Sequence, residues 1–376
     1  MGLMVGVPRV QVGGDVEVTV VGPGGSPIPG VPASTTWILL PDVSAVALVA
    51  PNGWRSSPQS EVTFAPTSPG TSLLVNGRAY RGRIIAFRDR TGLTVVNRLG
   101  VEPYLAGVVS AELGRRDSTE VEALAAQAVV SRTFAVRNLG KRRSEGFDLY
   151  ATVVDQVYGG ITAETPLSWR AVRETSGLVL SFQGGLIDAF FFSTCGGQTA
   201  EAGEVFANGA RPYLRSVHDE DASGQPYCRA SPRYQWHEEW SGEELRAILQ
   251  KSLPPVIGGT VPPLDHLRSV RVAQRTPSDH VARIVIEVGG REIAVEGPAI
   301  RQVLRPTPEQ PLRSSRFTLE EETGRQGLVR LVAAGLGSGH GVGFCQWGAV
   351  GRARAGQGFA EILGAYFQET EIRRLF

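Results

Sequence analysis

No apolar run in this 376-residue sequence approaches the ~20 residues that a helix needs to cross a bilayer, so no transmembrane segment is expected. The N-terminus lacks the basic, apolar and small-residue order of a secretory signal. That leaves a cytosolic protein, or one whose export signal the sequence does not carry. Neither sign of charge dominates: 38 Lys and Arg face 37 Asp and Glu, a formal net charge of +1. Such a balance gives no electrostatic case for nucleic acid or for a polybasic membrane contact. Cysteine is scarce, and Cys195, Cys228 and Cys345 are too few for a disulfide framework. H-E-x-x-H and C-x-x-C are both missing, so neither a zincin nor a zinc ribbon is supported. G-x-S-x-G is missing too, which removes a nucleophile elbow. The longest basic cluster, Lys141-Arg142-Arg143, falls just past an expected helix end, where it would complement the helix dipole on a solvated turn.

Glycine (46) and proline (24) are plentiful and spread through the chain, the pattern of many turns between short strands. Residues 1 to about 100 read as β. Val10, Val12, Val16, Val18 and Val20 alternate with other residues, strand-like runs recur at 72–75, 84–87 and 93–96, and Asn76-Gly77 is a hairpin signal. A first strong helix comes next: Thr119 and Glu122 form a T-x-x-E capping box, an alanine-rich stripe runs from Val121 to Leu139, and Gly140 stops it. Two apolar runs around Gly184-Gly185 read as a hairpin, a helical patch lies at 243–249, a strand at 281–288, and the end is helical around Phe359, Ile362, Leu363 and Tyr366. No repeat at a solenoid period is visible.

Four places could carry chemistry. Glu112 is a lone carboxylate between an apolar stretch and the capped helix, where helix capping or dipole complementarity competes with catalysis. Gln127 and Arg132 lie on the alanine-rich helix, and Arg132 shares the apolar face of residues 121, 125, 128, 135 and 139. A guanidinium there must find a partner, as an ion pair or a carbonyl clamp, and the small alanines imply that something packs very close. Ser193 to Thr199, with a Gly pair, has the composition of a binding edge or of an ordinary turn. Gly337 to Gly348 carries four alternate glycines around His340, ahead of Cys345, Gln346 and Trp347. Such a run lets backbone approach something closely, and it fits neither a P-loop nor G-x-G-x-x-G. His340 could be a base or a ligand, although a backbone-satisfied histidine is commoner. Cys345 with His340 lacks an orienting third group for a thiol hydrolase.

These segments, taken in order, resemble the stage II sporulation protein D / LytB family. The residues that carry the resemblance are Val96 to Val109 (VNRLGVEPYLAGVV), Ser110-Ala111-Glu112, Glu122 to Ala128 with Ser131 to Ala135, Asp155 to Gly160, Ser193 to Thr199, and Gly339 to Ala349. Each block is weak alone, whereas the ordered set, covering about residues 75 to 376, is specific. The resemblance implies a peptidoglycan lytic transglycosylase that cuts between N-acetylmuramic acid and N-acetylglucosamine and leaves a 1,6-anhydro end. Glu112 would be its single acid/base, with a pKa raised by an apolar setting. Gln127, Arg132, Ser193, Gln198, His340 and Gln346 would line the glycan groove or position substrate. The alternative within the family is a non-catalytic wall-binding enhancer of an N-acetylmuramoyl-L-alanine amidase. Partners would be peptidoglycan strands, intact or stripped of stem peptides, and an amidase; the expected location is extracytoplasmic.

The sequence departs from the family pattern in two places. Phe192 stands where members often carry His before Ser-Thr-x-Gly-Gly, and the Asp155–Gly160 block lacks the His/Cys metal ligands of some members. No cofactor is required and no metal site is assigned. Should the chain hold structural zinc, Cys195, Cys228, Cys345 and His340 are the only suitable set, and a Cys195–Cys228 disulfide is equally open. The expected architecture is α+β, rich in antiparallel strands, with the alanine-rich helix after the Glu112 segment and C-terminal helices. Residues 1–75 would form an N-terminal β-rich region and 76–376 the catalytic domain, with a β-rich subdomain at about 237–330. The Glu112 segment, the 193–199 strand end and the 337–348 segment are expected to converge on the groove.

Overall fold

Alternating valines at the start of the chain become strands of two antiparallel sheets. In the computed structural model of the protein, which describes every residue except Pro69 and Gln326, the first ten strands are β1 (Gly2–Val7), β2 (Val10–Gly14), β3 (Val18–Val21), β4 (Thr36–Pro41), β5 (Val46–Val49), β6 (Glu61–Pro66), β7 (Leu73–Val75), β8 (Arg78–Tyr80), β9 (Arg83–Arg88) and β10 (Leu93–Arg98). One sheet runs β1-β10-β9-β6-β3 and the other β5-β4-β2-β7-β8. Every second residue faces inward, as the two-residue period of a strand requires: Trp37 and Leu39 on β4, Val62 and Phe64 on β6, Ile84 and Ala86 on β9 are buried. The hairpin between β7 and β8 turns on Asn76 and Gly77, both at positive φ, with Val75 paired to Arg78.

The chain divides into two compact units, residues 1–179 with 186–188 and 373–376, and residues 180–185 with 189–372. The division expected at residue 75 is therefore not a structural one. β1 pairs with β10, and β6 with β9, so strands from the first 75 residues share a sheet with strands beyond residue 80.

Three helices complete the first unit: α1 (Val101–Leu113), α2 (Val121–Arg137) and α3 (Pro166–Glu174). α1 escapes a search by periodicity because Tyr104 to Ser110 are buried on every side, leaving no polar face to set the period. α2 is buried almost all round, and α1 and α3 pack on it, which is the use of its alanines. Its cap lies two residues earlier than expected. Asp117 accepts from the Thr119 amide at 2.8 Å and Glu120 reaches back to the Asp117 amide at 3.3 Å, closing a short 3-10 turn ahead of the helix.

In the second unit, the expected hairpin arm ending at Phe192 turns away: Phe191–Phe192 pairs in parallel with Phe344–Cys345. Residues 235–336 gather a core of their own. The strands Gln235–Ser241, Gly327–Leu336 and Phe317–Gly324 form one sheet, and Leu267–Arg275, Val281–Val288 and Arg291–Glu296 another. Trp236, Trp240, Ile284, Ile286 and Leu331 meet Leu245 and Leu249 of the helix Gly242–Ser252 between them. The architecture is α+β with antiparallel sheets. Among the described residues, no helix is long and apolar enough to cross a membrane.

Candidate functional site

Glu112 stands one residue from the C-terminal end of α1, not ahead of a helix. A carboxylate at that end opposes the helix macrodipole instead of complementing it, so helix stabilisation does not account for it. What holds it is the 155–160 loop. The Val157 amide donates to Glu112 Oε1 at 2.6 Å, and the Gly159 amide donates to the Gly107 carbonyl at 3.1 Å, tying the loop to the same helix. Gly107 makes this approach feasible: a β-carbon there would lie 2.7 Å from the Tyr158 ring and 2.9 Å from the Gly160 carbonyl oxygen. Glu112 keeps partial exposure.

Two buried tyrosines hold the same loop in place. Tyr104 donates to Gln156 Oε1 at 2.7 Å, and Tyr158 donates to Asn97 Oδ1 at 2.9 Å. Burial first, and the Glu112 charge second, push the Tyr104 hydroxyl well above its usual range, so it stays a donor. Gln156 Nε2 is buried without a hydrogen-bond partner. Asp155 anchors the start of the loop, accepting from Lys141 Nζ at 2.8 Å, Arg142 Nε at 3.0 Å and the Tyr150 amide at 2.9 Å. Burial opposes its charge, but these donors outweigh burial and hold its carboxyl below the usual range. Lys141 and Arg142 of the basic cluster thus clamp the loop, while Arg143 stays exposed on the turn.

Arg132 and Gln127 do not line a groove. Arg132 has no exposed surface and forms a two-point pair with Glu102, Nε to Oε1 at 2.9 Å and Nη2 to Oε2 at 2.7 Å, with the Leu178 carbonyl at 3.0 Å from Nη1. Gln127 is equally buried and donates to Ser131 Oγ at 2.9 Å. Both side chains face the helix packing, where no glycan can reach them.

Ser193, Gln198, His340 and Gln346 all belong to the second unit, where the 193–199 and 337–348 segments do meet. Thr194 and Ser338 exchange backbone hydrogen bonds at 3.0 and 2.8 Å, and the Ala200 amide reaches the Gly341 carbonyl at 2.8 Å. Gly337, Gly339, Gly341 and Gly343 all take positive φ, which explains their alternation. Ser193 and Gln198 are partly exposed, the latter donating to Ser216 Oγ at 3.1 Å, whereas Gln346 is buried in the first turn of the helix Gln346–Arg354. His340 is enclosed by Phe190, Phe192 and Phe206. Its Nε2 donates to the Phe191 carbonyl at 3.0 Å and its Nδ1 accepts from the Val342 amide at 3.1 Å. Desolvation lowers its pKa to about 4, so the ring is neutral and both nitrogens are engaged.

That engagement removes His340 from the cysteine set. Cys195, Cys228 and Cys345 come together in the second unit, and the fourth member is Asp219: one ligand atom from each lies within 4.8 Å of the others. The Cys195 and Cys228 sulfurs are 3.5 Å apart and all three cysteines are free. Asp219 takes Arg352 Nε at 2.9 Å on Oδ1, and the Tyr366 hydroxyl lies 2.9 Å from each oxygen. Burial pushes Asp219 up, against the pull of Arg352 and Tyr366.

A family model described as stage II sporulation protein matches residues 89–182, and one described as a domain of unknown function matches residues 227–343. Stage II sporulation protein D of Bacillus subtilis is 31% identical over 333 residues, covering 84% of this chain and 86% of the relative. The chain belongs to the SpoIID/LytB-type family. An uncharacterised protein of Brachyspira hyodysenteriae is 30% identical over 312 residues, covering 81% of this chain and 75% of that protein. An amidase enhancer of Bacillus subtilis is 26% identical over 299 residues, covering 71% of this chain and 40% of the enhancer. In this SpoIID/LytB-type chain the stretch matched by the family model contains Glu112, Gln127, Arg132 and the Asp155 loop. Glu102, Tyr104, Gln156 and Asp219 are structural partners that spacing did not single out. Glu102 lies five positions before Gly107 in the stretch that carried the resemblance, while Asp219 sits in an acidic run, His218 to Asp221, without a motif.

Proposed function

We propose that this SpoIID/LytB-type chain is an extracytoplasmic lytic transglycosylase acting on peptidoglycan glycan strands, with Glu112 as general acid and then base. The observation that carries the reading is a partly exposed carboxyl at the unfavourable end of α1, oriented by the Val157 amide of a loop that buried Tyr104 holds through Gln156. Ordinary glycosidases use two carboxyl groups. Here one suffices, because the sugar supplies its own nucleophile. Glu112 donates its proton to the glycosidic oxygen as the C1–O bond of the muramic residue breaks. The resulting carboxylate then takes the proton of the C6 hydroxyl as O6 bonds to C1, closing the 1,6-anhydro ring and restoring the acid. Ser193 and Gln198 remain polar and partly exposed on the second unit's own surface.

The test is mass spectrometry of intact and amidase-stripped peptidoglycan after incubation with the purified chain. Anhydromuramic products are expected, and Glu112→Gln should reduce them about 10²–10⁴-fold at unchanged thermal stability. Reducing-end products would instead mean a water-using hydrolase. The likeness to an amidase enhancer favours a second reading, a wall-binding partner of an amidase. Amidase stimulation that survives Glu112→Gln, with no glycan products on either substrate, would establish that reading in place of the first.

A further inference from the structure

We infer that Cys195, Cys228, Cys345 and Asp219 bind one zinc ion, in a closed structural site that ties together three distant parts of the second unit. The donor set and its spacing carry the inference. A tetrahedral ion with ~2.3 Å bonds to sulfur holds neighbouring sulfurs about 3.8 Å apart, and the Cys195 and Cys228 sulfurs already stand at 3.5 Å, with Asp219 Oδ2 3.3 Å from Cys195 Sγ. All four residues are buried. Three thiol protons pass to solvent as the ion binds, and the thiolates keep their amide donors.

Those donors are in place. The Cys195 amide points at Cys345 Sγ at 3.2 Å, the Gly348 amide at the same sulfur at 3.2 Å, and the Gly197 amide at Cys195 Sγ at 3.4 Å. Cys345 also caps the helix Gln346–Arg354, whose N-terminal end favours a negative sulfur.

A supporting shell orients the carboxylate. Arg352, stacked on Tyr227 and Tyr366, fixes Oδ1 of Asp219, and the Tyr366 hydroxyl holds both oxygens. Any side chain at residue 348 would run into Asp219 Oδ2 and the Tyr366 hydroxyl, so Gly348 keeps this shell intact. Such partners set the geometry of a ligand and strengthen its hold on the ion. Zinc also explains how three buried, adjacent thiols persist without pairing.

The test uses the full chain produced with zinc present. Elemental analysis should find about one zinc per chain; a strong chelator under reducing conditions should lower the Tm, and zinc should restore it. Cobalt in place of zinc should give an intense thiolate-to-metal charge-transfer band in the near ultraviolet. Tyr366→Phe, which leaves all four ligands and the packing volume, should weaken zinc binding on the order of 10–100-fold. Cys228→Ser should lose the metal. A Cys195–Cys228 disulfide in the peptide map of zinc-supplied protein would overturn the inference. So would three free thiols with no bound metal and a Tm indifferent to zinc.

Discussion

At the scale of single residues, the Glu112 carboxyl depends on an atom that is not there. Gly107 has no β-carbon, and the 155–160 loop uses the space to bring the Val157 amide onto Oε1. Gly107→Ala should cost about 1–3 kcal/mol through overpacking. As the amide is pushed off the carboxyl, the turnover of anhydro products on the proposed transglycosylase reading should fall while KM changes little. Steady-state kinetics beside thermal melts check both parts; a variant with unchanged kcat would mean that the loop does not orient Glu112. In the sequence Glu112 stands out only through its neighbours in the motif, since a lone carboxylate has no spacing to betray it. His340 shows the converse. Its place among alternate glycines draws the eye, yet both ring nitrogens are consumed by the Phe191 and Val342 backbone.

Amphipathic elements, with one face in water, were the most legible. The helix Gly242–Ser252 and the strand Val281–Val288 stand where their periodicities put them. α1 is obscure in the sequence because its middle is buried on all sides and contains valines and a glycine that argue weakly against helix. α2 was legible from its alanines, and so was the need for Arg132 to find a partner; the identity of that partner was not, because Glu102 lies on a different element. The Glu102–Arg132 pair locks α1 to α2. Arg132→Met leaves a carboxylate without its guanidinium, and Glu102→Gln leaves the guanidinium, wholly buried, without a counter-charge. Either should destabilise by about 3–5 kcal/mol. The double change to apolar residues of similar volume should recover much of that loss in denaturant titration. Full stability in either single variant would contradict a role in helix packing.

Across the whole molecule, two histidines link stability to acid. Burial lowers both His280 and His340 to about 4, whereas an unfolded histidine titrates near ~6.5. Between those values the unfolded chain binds more protons, so stability is complete above about pH 6.5 and is lost as pH falls toward 4. The Tm should decline over that window, and His340→Phe should shallow the slope even if it lowers the Tm at neutral pH. A slope identical to the parent's would remove His340 from the account. The layout at this scale was the least legible. An N-terminal region ending at residue 75 is a reasonable reading of composition, but sheet pairing ignores composition and joins β1 to β10.

The first unit also takes its last four residues, Arg373 to Phe376, from the far end of the chain, where the Leu375 amide reaches the Gly177 carbonyl at 2.8 Å. A nascent chain emerging N-terminus first can assemble both sheets and pack α1 on α2 well before residues 373–376 are made, so that clasp closes after them. Removing those four residues should therefore leave the backbone amides around Gly177 exchanging their hydrogens early, as a late-closing seam would.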